Sequence, residues 1–339
     1  SRGLGDVYKR QVLTNFFAAA FNPSTLTRYS HVICAVLIMG AFMTMAVAAW
    51  YMHKKDHEKF ALRAMKIGSI VATISCACML VTAHSSAVVV SEEQPTKFAM
   101  MEGMYEDEVP PLYAIGWVDE VNERVIAPFA IPGGTSFLAT GNWDTEYQGL
   151  NSLAETEDYS AIDPETMPVN LVFQSYHLMV AMFGLMALTL LLALIFTFKG
   201  GSIKKMRWLQ WLIIISPIFA VLAIQSGWAT AEFGRQPWVV YPSVTGPEGV
   251  ELLTADGISL AVSGWELIAT IVLFVLIYLV LFIAWARIVA RFIKQGPTQE
   301  QPAPVAASSN SFMSGTPPAK AANASPNDET APAATKEGE

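Results

Sequence analysis

Five long apolar runs decide what this chain can become. A helix that crosses a bilayer needs about 20 mostly apolar residues. Runs of that kind cover approximately residues 28–52, 62–88, 170–197, 207–231 and 259–293. Only 15% of the residues are charged and 53% are hydrophobic, whereas ordinary soluble domains carry about 25% charged residues. The expected fold class is an all-α integral membrane protein, a bundle of about five transmembrane helices. Nothing in the composition points to nucleic acid. The segment 1–11 matches no pattern and lacks the charged-then-apolar order of a signal peptide; it is expected to be an artefact outside the fold. Residues 12–27 form a short apolar lead-in broken at Asn22-Pro23. Residues 28–88 hold two spans, 89–169 a long connection, and 170–293 three more spans. The Pro-, Ala-, Ser- and Asn-rich segment 294–339 is expected to be a disordered tail. Cys34, Cys76 and Cys78 all lie in apolar runs and read as small packing residues.

Lysine and arginine in the short connections set the orientation. Residues 52–66 contain Lys54, Lys55, Lys59, Arg63 and Lys66; the 198–207 connection has Lys199, Lys204, Lys205 and Arg207 without an acid. Arg287, Arg291 and Lys294 close the fifth run. These ends, and with them the C-terminus, are expected in the cytoplasm. The 89–169 connection carries Lys97 and Arg124 against 16 acidic residues, and 232–258 carries Arg235 against four. Both are expected outside, and the alternation holds through all five runs.

That topology brings His31, His177, Met179 and Glu232 to similar depth near the outer surface, at about 1.5 Å of rise per residue. A His and a Met from two helices can form an axial pair for a low-spin haem. On residue type alone, His31 can equally be a helix-bonding histidine, and Met179 is one of 15 methionines. Glu232 reads as a proton relay, a haem or metal ligand, or an interfacial charge. Arg235 suits a haem propionate, because guanidinium engages carboxylates in a bidentate fork; it can also pair with Glu232 at i,i+3. Trp228 and Trp238 are compatible with an interfacial aromatic belt. In the long connection, Lys97 and Glu102 flank Phe98 and Met101, with Met104 just beyond. They can hold a quinol head group and accept its protons, but the pattern alone favours an amphipathic helix lying on the bilayer surface.

Four separated strings resemble subunit I of the cytochrome bd quinol oxidases, in that family's order. Phe21-Asn-Pro-Ser-Thr-Leu-Thr-Arg-Tyr-Ser-His31 is similar to the entry of the helix with the low-spin haem histidine. Gln94-Pro-Thr-Lys97 with Glu102 is similar to the quinol-loop motif. Ser175-Tyr-His-Leu-Met179 is similar to the helix with the methionine ligand. Gly227 to Trp238, ending Gly-Arg-Gln-Pro-Trp, resembles the segment whose Glu binds a high-spin haem. The resemblance implies His31 and Met179 as ligands of haem b558, and Glu232 as a ligand where haem b595 and haem d reduce O2. It implies Arg235 as a propionate partner, Trp228 as an aromatic group near the haems, and Lys97 and Glu102 in quinol binding and oxidation. His177 stands where some members have Arg and is expected to contact a propionate or the quinone. The short 89–169 loop, with Pro132-Gly-Gly-Thr-Ser-Phe137, resembles the branch described as cyanide-insensitive.

The family's subunit begins with four further helices that supply another histidine to the di-haem site. Against that nine-helix pattern, this sequence looks like the C-terminal portion, and alone it is expected not to assemble the oxygen site. The implied activity is a quinol:O2 oxidoreductase of the bacterial cytoplasmic (inner) membrane, with ubiquinol or menaquinol as donor and a second integral membrane subunit as partner. The alternative is a truncated, non-catalytic fragment binding haem b558 alone or no haem. A transporter, with Glu232 and Arg235 lining a path, ranks far below, because no inverted repeat is apparent.

Overall fold

The computed structural model describes residues 16–21, 23–242, 251–258 and 261–297. The segment 1–11 and the tail beyond 297 lie outside the described residues. Among the described residues, five helices are long and apolar enough to cross a membrane, in the places where the apolar runs predict them. They are α2 (Pro23–Lys54), α3 (Glu58–Glu93), α7 (Val169–Phe198), α8 (Arg207–Phe233) and α9 (Gly264–Gln295). The short α1 (Phe16–Ala20) precedes them. Most outlast the apolar runs by a few residues, because backbone hydrogen bonds, once started, propagate into polar flanks. A tight reversal separates α2 from α3, with Lys55 and His57 both at positive φ. A capping box starts α9: the Ser263 side chain accepts from Glu266 N–H, and the Glu266 carboxylate accepts from Ser263 N–H at 2.8 Å.

Four of the five helices close a ring. In it α2 packs on α3 and α8, and α7 packs on α3 and α8, so α2 and α7 stand at opposite corners. Phe42, Met45, Met65, Leu209 and Ile213 fill the interior and are fully buried. In α9, by contrast, no residue is buried. It meets the bundle at one end, where the Tyr51 hydroxyl donates to the Ile293 carbonyl at 2.6 Å.

The long connection folds into its own layer over one end of the ring, called here the loop end. It contains α4 (Pro95–Glu102), the antiparallel hairpin β1 (Leu112–Asp119) and β2 (Arg124–Ile131), α5 (Gly134–Thr140) and α6 (Leu150–Ala154). A second hairpin, β3 (Trp238–Val240) with β4 (Leu252–Leu253), follows α8. Phe98, Met100, Met104, Val118, Leu150, Phe173 and Trp238 form a second core beneath this layer. The surface-helix reading of 95–102 therefore fails. Every residue from Thr96 to Glu102 is buried, because α7, α3 and α6 pack on the helix and cover the face that the apolar pattern would have offered to lipid.

Candidate functional site

The site is built where α4 meets the end of α8. Proline at the first helical position starts α4 and sends Lys97 toward the Gly234-Arg-Gln-Pro-Trp238 turn. Lys97 lies directly on Gly234: a Cβ there would meet Lys97 Cγ at 2.8 Å and Cε at 3.2 Å. The glycine of this motif is thus the seat of the lysine stem. Lys97 is 6% exposed. Burial, then the nearby Arg28 and Arg235, pull its ammonium down to about 8, against an upward pull from Glu232.

Arg28 was not singled out from the sequence, and it belongs here. It sits one turn before His31, so both lie on one side of α2. An arginine at i−3 to a candidate ligand inside an apolar run is the signal that would have found it. Arg28, Lys97 and Arg235 gather at this end of α8, and Glu232 is the carboxylate that acts on Lys97 there. Arg235 forms an ion pair with Glu232 through its terminal nitrogen, the i,i+3 pairing that the sequence allowed. The Arg235 Nε remains buried without a partner.

Other polar atoms are buried without a partner. Among the described residues they include one ring nitrogen of His31, Gln94 Oε1 and the Trp238 indole N–H. Such groups cost free energy unless something pairs with them. Trp238 is fully buried against Tyr241 and Tyr159, so it is a core residue and no interfacial belt. Tyr241 in turn shares a 2.7 Å hydrogen bond with Thr96, tying the turn after α8 to the start of α4. Trp228 is 55% exposed on α8.

Met179 is positioned by register. The Ser175 and Thr230 hydroxyls hydrogen-bond at 2.9 Å between α7 and α8. One turn further along α7 and one turn back along α8, Met179 meets Gly227, where a Cβ would lie 2.9 Å from its sulfur. His177 points elsewhere. Its ring stacks on Phe173 with centroids 3.9 Å apart, and Nδ1 pairs with the Phe173 carbonyl at 2.8 Å.

Lys97 and Glu102 do not meet. Five residues along a helix are about 140° apart, so the carboxyl faces the other side of α4. There Thr135 donates to Glu102 Oε2 at 3.2 Å. Glu102 is 2% exposed, and burial pushes its carboxyl up to about 8, with Glu108 adding to the rise and Thr135 opposing it.

Residues 4–297 match the family described as cytochrome bd terminal oxidase subunit I. The chain is 26% identical to the cytochrome bd-II ubiquinol oxidase subunit 1 of Escherichia coli, covering 86% of this chain and 66% of that protein. It is 28% identical to the cytochrome bd ubiquinol oxidase subunit 1 of Bacillus subtilis, over 89% and 64% respectively. It is 33% identical to a putative cytochrome bd menaquinol oxidase subunit I of the same organism, over 66% and 50%. Among solved structures, the bd oxidase from Geobacillus thermodenitrificans aligns with a TM-score of 0.69 at 27% identity, covering 84% of this chain and 62% of that one. The chain thus spans between half and two-thirds of the length of these curated relatives. The match over nearly all of the described residues, together with the ring of helices, shows that the chain belongs to the cytochrome bd terminal oxidase subunit I family.

Proposed function

We propose that this chain supplies the quinol-oxidising end of a terminal oxidase in the bacterial inner membrane, with the loop end facing outside and the C-terminus inside. The observation that carries this reading is the gathering of Arg28 and Arg235 about the buried Lys97, with Glu232 the carboxylate that acts on it, together with buried polar atoms that lack partners. A cluster with an excess of cations suits an anionic oxygen, whether a propionate or a quinol hydroxyl losing its proton.

The residues fit haem b558. His31 and Met179 stand on opposite corners of the helix ring, one imidazole nitrogen is buried and unpaired, and Gly227 leaves room for the thioether. Arg28 and Arg235 at the same end would hold the propionates. Bound haem supplies one-electron acceptance; the proton chemistry belongs to the chain. Lys97 holds one quinol oxygen and stabilises its developing charge, while Glu102 takes a proton when ionised. The donor is ubiquinol or menaquinol, the quinols for which the relatives are named. Glu232 is the residue this chain would offer at the site of haem b595 and haem d, where O2 is reduced. There an iron would compete with Arg235 for the carboxylate. A second integral membrane subunit completes the complex.

The test is a dithionite-reduced minus air-oxidised absorption spectrum of membranes holding the chain with its partner subunit, beside His31→Ala and Met179→Ala. A low-spin b-type band absent from both variants supports the axial pair. A band unchanged in either variant, with the protein present at wild-type level, overturns it.

A further inference from the structure

The Pro132–Phe137 segment marks a branch in the sequence but has no part in the reading above, and the structure gives it one. Gly133 turns at φ +64, in a space where a Cβ would lie 2.2 Å from the Trp143 carbonyl oxygen. That turn starts α5 and delivers Thr135 to Glu102. The neighbouring Ser136 fastens the turn from behind, donating to the Thr145 carbonyl at 2.7 Å.

Thr135 has two partners and one proton. Its oxygen lies 3.2 Å from Glu102 Oε2 and 3.1 Å from the Pro111 carbonyl oxygen. A carbonyl only accepts, and a hydroxyl donates once. When Thr135 donates to Pro111, its contact to Glu102 is a hydrogen bond only if the carboxyl is protonated and donates to the hydroxyl. When Glu102 is ionised, Thr135 must swing its proton to the carboxylate and leave Pro111. Both partners are in place for both states.

We propose that Thr135 is a positioning residue whose rotating hydroxyl serves Glu102 in its neutral and ionised forms and so allows that buried carboxyl to exchange a proton during turnover. This rests on the role of Glu102 proposed above. The step balances simply. A quinol hydroxyl gives its proton to the Glu102 carboxylate, which becomes a carboxylic acid donating to Thr135, and Thr135 turns to Pro111. Loss of that proton to the loop-side solvent reverses the rotation, while the quinol's electrons leave for the haem. The groups that act electrostatically with Glu102 are Glu108, Tyr113 of β1 and Tyr176 of α7. Glu108 is of like charge and favours the neutral acid. Thr135 is the group on the other side of the balance, since a hydrogen bond to a carboxylate is stronger than one to a neutral acid.

The experiment uses the intact two-subunit oxidase as wild type, Thr135→Val, Thr135→Ala, Thr135→Ser and Glu102→Gln, with the reduced haem spectrum as the check of folding. Infrared difference spectra taken across pH follow the carbonyl stretch of the protonated acid, assigned by its loss in Glu102→Gln. In the wild type the band should disappear with a midpoint of about 8. In Thr135→Val and Thr135→Ala the midpoint should rise by about one pH unit or more, because the ionised form loses its donor. The acid limb of quinol oxidation should move with it, and Thr135→Ser should restore both. A midpoint that stays in place in folded Thr135→Val or Thr135→Ala, or that Thr135→Ser fails to restore, overturns the proposal. Undiminished quinol oxidation in Glu102→Gln, with the band still shifting in Thr135→Val, would leave the hydroxyl switch standing and remove its link to turnover.

Discussion

Lys97 shows how much one missing side chain can arrange. Its stem rests where Gly234 has no Cβ, and its ammonium is held near two guanidinium groups, Arg235 after the end of α8 and Arg28 on α2. Gly234→Ala should push the lysine off its seat and lower quinol turnover by roughly tenfold, the effect of a misplaced catalytic group being of that order or more. In a Lys97→Ala background the same alanine should cost less than in the wild type, what remains being its contact with the Thr230 carbonyl, 2.6 Å from the added carbon, and a double-mutant cycle of turnover rates checks this. Protonation gives a second test. Glu102 accepts a proton only when ionised, above about 8, and Lys97 carries its charge only below about 8. Quinol oxidation should therefore follow a bell centred near pH 8, losing its acid limb in Glu102→Gln. The same carboxyl makes a stability statement. Its folded pKa is raised from the ordinary 4.5, so its favourable contribution is complete below about 4.5 and is lost as pH rises to about 8. Wild type measured against Glu102→Gln should lose thermal stability across that window.

Among the helices, α7 and α8 carry the most specific fit. Ser175 with Thr230 fixes their register, and that register places the Met179 sulfur over Gly227. Interhelical hydrogen bonds of this kind in membranes average about 0.6 kcal/mol, with the strongest near 1.7. Ser175→Ala should therefore destabilise the bundle by about 1 kcal/mol or less in a thermal melt. Its larger effect should fall on the low-spin haem band, which should broaden as Met179 loses a single position. The element that pattern reading misjudged is α4. Its Phe98, Met101 and Met104 look the same whether they face lipid or protein. Only the packing of α7, α3 and α6 against it decides between the two.

At the scale of the whole molecule, the four-helix ring and the loop layer form two cores joined through α7, while α9 stands beside them. It has no buried residue, and its attachment near Ile293 depends on the Tyr51 hydroxyl. Close by, the Gly296 backbone packs against His57. Tyr51→Phe removes that hydrogen bond and little else. Amide exchange in the last turns of α9 should quicken in this variant while the α2–α8 ring stays protected, since local opening follows local contacts. Equal protection in the variant and wild type would show that other contacts hold the helix.

What the sequence alone determined about this protein are the features that a bilayer and a short motif impose locally. A spanning helix must be a contiguous apolar run, so all five were legible without knowledge of their neighbours. His31, Met179, Glu232 and Arg235 stood out because polar or ligating groups are conspicuous in such runs, and motif order carried the family. The tertiary structure alone decided which residues share a site. Arg28 joins Lys97 across 69 positions, and Thr135 joins Glu102 across 33, through chain that turns as hairpins and short helices with no long period to read. It also turned His177 toward Phe173, set Lys97 and Glu102 on different sides of α4, and buried that helix. Contacts of this range depend on which surfaces close over one another, and residue spacing carries no record of that.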